Sequence, residues 1–222
     1  MCALMIGRKG SVGFPGKNIF PVLGRPLAAY PLLAAKSSSD VKRIFVSTDC
    51  PDIMEIAKEY DAELIVRPPK LASKEALGED VFVHGYYEIK RILKEQGFDI
   101  EFVVLLFANG ATLNGELIDK GVAILRQDES FDSAVTTSVY NMWSPLRARK
   151  LRKDGCLHPM IPFETFGDPD TLNCDRDSQG DVHFADMSVS VVRPQCLENL
   201  AEGLLPQKWM GQRIAPILNW GG

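Results

Sequence analysis

The chain has 222 residues, 45% of them hydrophobic, which is enough apolar material for one sizeable core. With 25 Lys and Arg against 29 Asp and Glu, its net charge of −4 leaves no basic surplus to neutralise many phosphates, and this argues against nucleic acid or an anionic membrane as principal partner. Five scattered cysteines (Cys2, Cys50, Cys156, Cys174 and Cys196), without CxxC or metal-ligand spacing, read as thiols in a reducing compartment.

The first element is an apolar run from Cys2 to Ile6, a candidate buried strand. It opens into a loop, and the stretch Leu4–Asn18 reads LMIGRKGSVGFPGKN, with Gly7, Gly10, Gly13 and Gly16 interleaved by Arg8, Lys9 and Lys17. Glycines let backbone N–H groups approach an anion, while Arg and Lys neutralise its charge, so the composition is that of a phosphate-binding loop. It is not the dinucleotide fingerprint, because the glycines sit three apart and Pro15 and Pro21 prevent an early helix. Nor is it a Walker loop, since Gly16-Lys17 is followed by Asn18 rather than Ser or Thr.

Pro26 then introduces an apolar helix, Leu27 to Lys36. Arg43 to Ser47 is a short β-branched strand with Thr48-Asp49 at its carboxyl end. Asp52 to Tyr60 reads as a helix, Ala62 to Val66 as a strand and Glu79 to Glu95 as a long amphipathic helix. Glu101 to Phe107 is almost wholly apolar and suits a central strand buried on both faces. Asn114 can cap a helix whose apolar positions are Leu117, Ile118, Val122 and Leu125. Strand and helix alternate to Arg126, so the fold class expected is α/β, doubly wound around a mostly parallel sheet. Ligands of such sheets bind beyond the carboxyl ends of the strands, which puts Arg8 and Asp49 on the functional edge.

Past Ser133 the rhythm breaks. Ser133 to Val139 reads as a strand, Lys153-Asp154-Gly155 as a hairpin turn, and Pro159 to Asp181 has no helical period. A strand returns at Val189 to Val192, with a short helix from Pro194. The chain is therefore expected to form a single domain over 1–222 with 140–183 as an irregular region. No GxSxG elbow is present, and His84, His158 and His183 lie far apart and read as structural. No run approaches the roughly 20 apolar residues of a membrane helix and no signal peptide precedes the first strand, so the expected location is cytoplasmic.

Two blocks carry a family resemblance. RKGSVGFPGKN resembles the RxGSKxIPxKN signature of sugar-acid cytidylyltransferases, the group that includes CMP-N-acetylneuraminate synthetase. VSTDCPDIMEIA (Val46 to Ala57) followed by RPPKLAS (Arg67 to Ser73) resembles the second block of that family, VSTD, IxxxA and RPxxLAS. The resemblance implies a nucleotide-diphospho-sugar transferase-like fold and transfer of CMP from CTP to a 3-deoxy-2-keto sugar acid, with release of pyrophosphate. It implies Mg²⁺ as cofactor, CTP and a sugar acid as partners, and a homodimer formed through 140–183 as a protruding, β-rich arm. Matched residue by residue, Arg8, Gly10, Ser11 and Lys17 would hold the triphosphate, Arg8 and Lys17 serving as the catalytic cations, while Asn18 and Arg67 would contact the cytidine. Asn109 and Asp186 would bind the sugar acid.

Departures accompany the match. Val12 stands where the family has a phosphate-binding Lys, Phe107-Ala108-Asn109-Gly110 where many members have QPTSP, and Asp186, at the head of MSVSVV, where the family has Asn. Family members hold Mg²⁺ through two Asp separated by one residue, soon after a segment like Ala215 to Gly222, and the sequence given ends at Gly222. The metal ligands are therefore unassigned: the acidic pair lies further on or is absent, while Asp49, and Asp175 with Asp177, are poor substitutes. These departures motivate an alternative reading, a catalytically impaired nucleotide-binding relative. A nicotinamide-dependent oxidoreductase is a weaker third reading, against which the missing fingerprint speaks.

Overall fold

The computed structural model describes residues 1–10, 14–73, 75–175 and 179–219. In chain order the strands and helices are β1 (Cys2–Gly7), β2 (Pro21–Val22), β3 (Arg25–Pro26), α1 (Ala29–Ser37), β4 (Arg43–Thr48), α2 (Pro51–Glu59), β5 (Glu63–Val66), α3 (Pro69–Ala72), α4 (Gly78–Glu95), β6 (Val103–Phe107), α5 (Gly115–Gln127), β7 (Ser133–Val139), β8 (Arg149–Leu151), β9 (Leu157–Pro159), β10 (His183–Val192), α6 (Pro194–Glu198) and β11 (Ile214–Leu218). Contacts divide the chain into two compact units, one of Met1–Thr136 with the chain from Met187, the other Thr137–Asp186. The stretch 140–183 falls within the second.

The first unit is built on a seven-stranded sheet of order β11-β7-β10-β6-β1-β4-β5. β1 is central and parallel to both β4 and β6, with Cys2 opposite Arg43 on one side and Val103 on the other; β5 adds in parallel to β4, and β10 runs antiparallel to β6. Both faces are covered. Ala3, Met5, Val46, Val104 and Leu106 pack with Leu32 of α1, Ile53 of α2 and Ile118 and Val122 of α5. Leu4, Ile6, Phe45 and Leu105 point the other way, onto Phe82, Tyr86 and Ile89 of α4 and Leu197 of α6. Every residue of β1 is buried, so its uninterrupted apolar run is the mark of a strand sandwiched between two helical layers. Asn114 caps α5 as expected, its side-chain oxygen accepting from Leu117 N at 2.9 Å.

The expected doubly wound, mostly parallel α/β architecture is thus present, with several differences of detail. The first helix begins at Ala29 rather than Leu27, because the N–H of Leu27 is held by the carbonyl of Phe20 at 3.0 Å at the foot of the β2–β3 ribbon. β10 starts six residues before Val189 and pairs antiparallel to β6, and Asp186 lies within this strand rather than at its head. β11 is an additional edge strand.

In the second unit, β8 and β9 form an antiparallel hairpin in which Arg149 faces Pro159 and Leu151 faces Leu157. The Lys153-Asp154-Gly155 turn lies between them, with Gly155 at φ 80. The remainder consists largely of single 3₁₀ turns, including Phe163–Phe166 and Pro169–Thr171. Among the described residues no helix is long and apolar enough to cross a membrane.

Candidate active site

β1, β4 and β6 end side by side, and the segments that follow β1, β5 and β6 meet at a cleft of about 240 Å³. Its lining includes Arg8, Lys17, Asn18, Arg67 and Asn109, with Phe107 among the apolar residues. Residues separated by a hundred positions are brought together because parallel strands deliver their carboxyl ends to one edge.

Two glycines permit the loop to leave β1 as it does. A Cβ on Gly7 would lie 2.8 Å from the Cβ of Ala108 and 2.9 Å from Cδ1 of Ile53, so any side chain there would force β1 away from its neighbours. Gly16 takes φ 75, the left-handed conformation from which the chain enters the 3₁₀ turn Lys17–Ile19. That turn places Lys17 and Asn18 beside Arg8. The same three residues also border an adjoining recess of about 270 Å³, shared with Lys9, Gly10, Cys50 and Asp52. The backbone N–H of Lys9 donates to Oδ1 of Asp49 at 3.0 Å, tying the loop to the end of β4.

Arg67 is 6% exposed, which is unusual for a guanidinium. Its Nη2 donates to the carbonyls of Gly7 (3.1 Å) and Ser47 (2.7 Å), so it bridges the ends of β1 and β4 from within. Its Nε has no hydrogen-bond partner among the described residues. Burial draws its pKa below the ordinary guanidinium value; the charge of Asp49 opposes that shift and the charge of Arg8 adds to it. An Arg remains protonated throughout, so the cleft floor carries a fixed positive charge in a poorly hydrated place. The side-chain Oδ1 of Asn18 is likewise buried and has no partner among the described residues.

The sequence-derived candidates therefore divide into groups. Arg8, Lys17, Asn18, Arg67 and Asn109 line one cleft. Gly10 borders the adjoining recess at φ 76, while Ser11 and Val12 lie outside the described residues. Asp186 belongs to the second unit, where its Oδ2 accepts from Ser138 Oγ at 3.2 Å. Among the described residues no three of His, Cys, Asp and Glu converge as a metal centre. Asp175 is in the second unit and Asp177 lies outside the described residues. Sequence reasoning missed the anchoring role of Asp49 and the walls built by Phe107 and Gly78. A glycine directly ahead of an amphipathic helix was the available signal for the latter.

Chemically, the arrangement suits an anionic ligand with a planar, partly apolar portion. Cations occupy the loop side, amide groups are available for directional hydrogen bonds, and one wall is apolar.

Comparison with known proteins agrees with this reading. Residues 2–140 match the cytidylyltransferase family. The chain is 26% identical over 150 residues to a bifunctional pseudaminic acid cytidylyltransferase and UDP-2,4-diacetamido-2,4,6-trideoxy-beta-L-altropyranose hydrolase of Helicobacter pylori, a match covering 67% of this chain and 28% of that protein. It is 34% identical over 124 residues to the CMP-N,N'-diacetyllegionaminic acid synthase of Legionella pneumophila, covering 55% of this chain and 51% of that protein. The chain thus spans about half or less of the length of these relatives. Among solved structures, a CMP:2-keto-3-deoxy-manno-octonic acid synthetase complexed with CTP superimposes with a TM-score of 0.63 at 12% identity, covering 98% of this chain and 89% of that one, a likeness of fold. With more than half of its length matched, and with the two sequence blocks meeting at one cleft, the chain belongs to the cytidylyltransferase family.

Proposed function

We propose that this protein transfers CMP from CTP to a 3-deoxy-2-keto sugar acid of the nonulosonic or octulosonic type. The observation that carries the proposal is the convergence of Arg8, Lys17, Asn18, Arg67 and Asn109 on one cleft at the carboxyl edge of the sheet. The acceptor class rests on the relatives, whose names include pseudaminic and diacetyllegionaminic acids.

In this reaction the acceptor hydroxyl attacks the α-phosphorus of CTP in line. The bond to the bridging α–β oxygen breaks, pyrophosphate leaves with that electron pair, and the hydroxyl proton passes to solvent. Positioning and charge neutralisation are the protein's contribution. Arg8 and Lys17 take up the charge of the triphosphate, and the N–H groups of the loop orient it. Asn18, whose Oδ1 has no partner among the described residues, and Arg67 face the cytidine, and Asn109 faces the acceptor. Asp186 is assigned to the acceptor by sequence match alone.

Mg²⁺ fits as a metal carried on the nucleotide, since this cation is commonly held by one or two carboxylates together with substrate phosphates. Asp49, beside the loop, would help to hold it, and when bound the metal would neutralise phosphate charge. The departures from the family pattern at Val12 and at Phe107-Ala108-Asn109-Gly110 favour a second reading, a relative that binds CTP but turns it over poorly. Pyrophosphate release from CTP and Mg²⁺ with sialic, legionaminic, pseudaminic and octulosonic acids tests the first reading. CTP binding by calorimetry without release under any of these conditions supports the second, and no CTP binding at all overturns both.

We further propose a homodimer formed through the second unit. Met142, Trp143, Leu151, Leu157 and Met160 are all exposed there, large apolar side chains that a lone molecule rarely presents to water in such number.

A further inference from the structure

Beside its cations the cleft has an aromatic wall. Phe107, the last residue of β6, meets the ring of Phe82 edge to face, with centroids 5.2 Å apart and planes at 72°. Trp209 lies 5.5 Å from Phe82 and 6.2 Å from Phe107, again in edge contacts. Phe82 and Trp209 are 0% and 6% exposed, so they are core residues that hold the third ring in place. Phe107 itself is only half-buried, and it borders the cleft.

Gly78, the first residue of α4, stands next to that ring. A Cβ there would lie 3.9 Å from Cε1 of Phe107 and 3.9 Å from Cδ1 of Ile6. Anything beyond a methyl group would extend over the aromatic surface, and glycine leaves it open. The cleft therefore offers an uncovered aromatic ring, prevented from turning by two buried rings, within one pocket that also holds Arg8, Lys17, Asn18 and Arg67.

We propose that Phe107 is the platform on which the base of the bound nucleotide stacks, with Phe82 and Trp209 fixing the ring and Gly78 keeping it accessible. The inference rests on the nucleotide reading of the cleft. A triphosphate belongs with the cations of the loop, and a sugar acid rich in hydroxyls finds no partners on an apolar wall of Ile6, Val81 and Phe107. A flat base finds there a surface for its π-face. Because every base has such a face, the platform supplies affinity, and discrimination among bases is left to the polar groups around its edge.

The test compares CTP with inorganic tripolyphosphate by calorimetry, for the wild type and Phe107→Ala, Phe107→Leu, Phe107→Tyr and Gly78→Val. Loss of one base–aromatic stack weakens binding on the order of tenfold or more. Phe107→Ala and Phe107→Leu should lose that much for CTP, Gly78→Val should lose a similar amount by covering the ring, and Phe107→Tyr should bind as the wild type does. All four should keep wild-type affinity for tripolyphosphate, which shows that the loop and the fold are intact. With Trp143 and Trp220 replaced by Phe, Trp209 emission should respond to CTP and stay unchanged with tripolyphosphate. Equal CTP affinity in the wild type and Phe107→Leu overturns the platform while leaving the nucleotide reading in place. Parallel loss of CTP and tripolyphosphate in Phe107→Leu overturns it too, by making the ring structural. Failure of the wild type to bind CTP at all removes the nucleotide reading itself.

Discussion

The backbone N–H of Lys9 donates to the carboxylate of Asp49 at 3.0 Å, across a separation of 40 positions in sequence. A negative side chain beside an anion-binding loop is explained by this bond, which aims the loop at the cost of some repulsion. The two terms can be separated. Asp49→Asn keeps an acceptor oxygen and removes the charge, so in the absence of Mg²⁺ it should bind CTP at least as tightly as the wild type. Asp49→Ala loses the tie and should bind up to roughly tenfold more weakly than Asp49→Asn, the scale of one neutral hydrogen bond. Calorimetric titrations in which the two variants bind alike would show that the loop keeps its shape unaided.

Arg8 and Lys17 are partly exposed and line the cleft, so their removal should be felt in chemistry rather than in folding. Replacing either by Ala should cost at least about 2 kcal/mol of transition-state stabilisation, read from kcat/KM. Thermal unfolding midpoints should stay near that of the wild type. Full turnover in either variant would remove that residue from the phosphate site.

Arg67 should behave differently. Its guanidinium holds the carbonyls of Gly7 and Ser47 in a buried place, so Arg67→Ala leaves acceptors unsatisfied and opens a void between strand ends. The expected loss is about 2–4 kcal/mol of stability in urea unfolding, together with a reduced preference for CTP over UTP. Arg67→Lys should recover only part, since a single ammonium cannot reproduce the planar fork. Unchanged stability in Arg67→Ala would show that those two carbonyls are satisfied in another way.

A pH dependence follows from Asp132. Burial pushes its carboxyl upward, but the N–H groups of Arg213 and Gln212 and the amide of Gln195 more than offset this and leave it below the ordinary value. A depressed carboxyl contributes stability that is present above the unfolded value, about 4, and is lost as the pH falls through the lower folded value. Acid unfolding below about pH 4 should therefore be shallower in Asp132→Asn, which should also be less stable than the wild type at neutral pH. Superimposable stability–pH curves would remove Asp132 from the acid limb.

The dimer is checked by sedimentation at micromolar concentration. Two-fold association is expected, and Leu151→Glu, which buries a charge opposite Leu157, should shift the protein to monomer. A wild-type monomer across the same range would rule out the proposed pairing.

Much of the first unit is legible in the sequence, because strands sandwiched between helices must be apolar throughout and amphipathic helices must repeat every 3.6 residues. β11 escapes this logic: five residues with Pro216 in the middle carry only Ala215 and Ile217 as fully buried positions. β10 is read short because its first residues, His183 to Ala185, are exposed and lack an apolar pattern. At the site, the cations of the loop are visible as composition. The burial of Arg67 is not, since its partners are carbonyls that every residue possesses. Phe107 is legible as the end of a core strand, but its open ring depends on Gly78, a neighbour created only by the fold.

The reciprocal bonds between Thr136 and Val189, hydroxyl to carbonyl at 3.3 Å and N–H to hydroxyl at 3.0 Å, join β7 to β10 where the chain departs for the second unit and where it returns. Exit and re-entry are thus neighbouring rungs of one ladder, and the intervening 50 residues behave topologically as a cassette. Such a segment can be exchanged or bridged by a short turn without rethreading a single strand of the sheet. The described lining of the cleft lies entirely outside the cassette, so the cassette can vary between homologues while the cleft stays as it is.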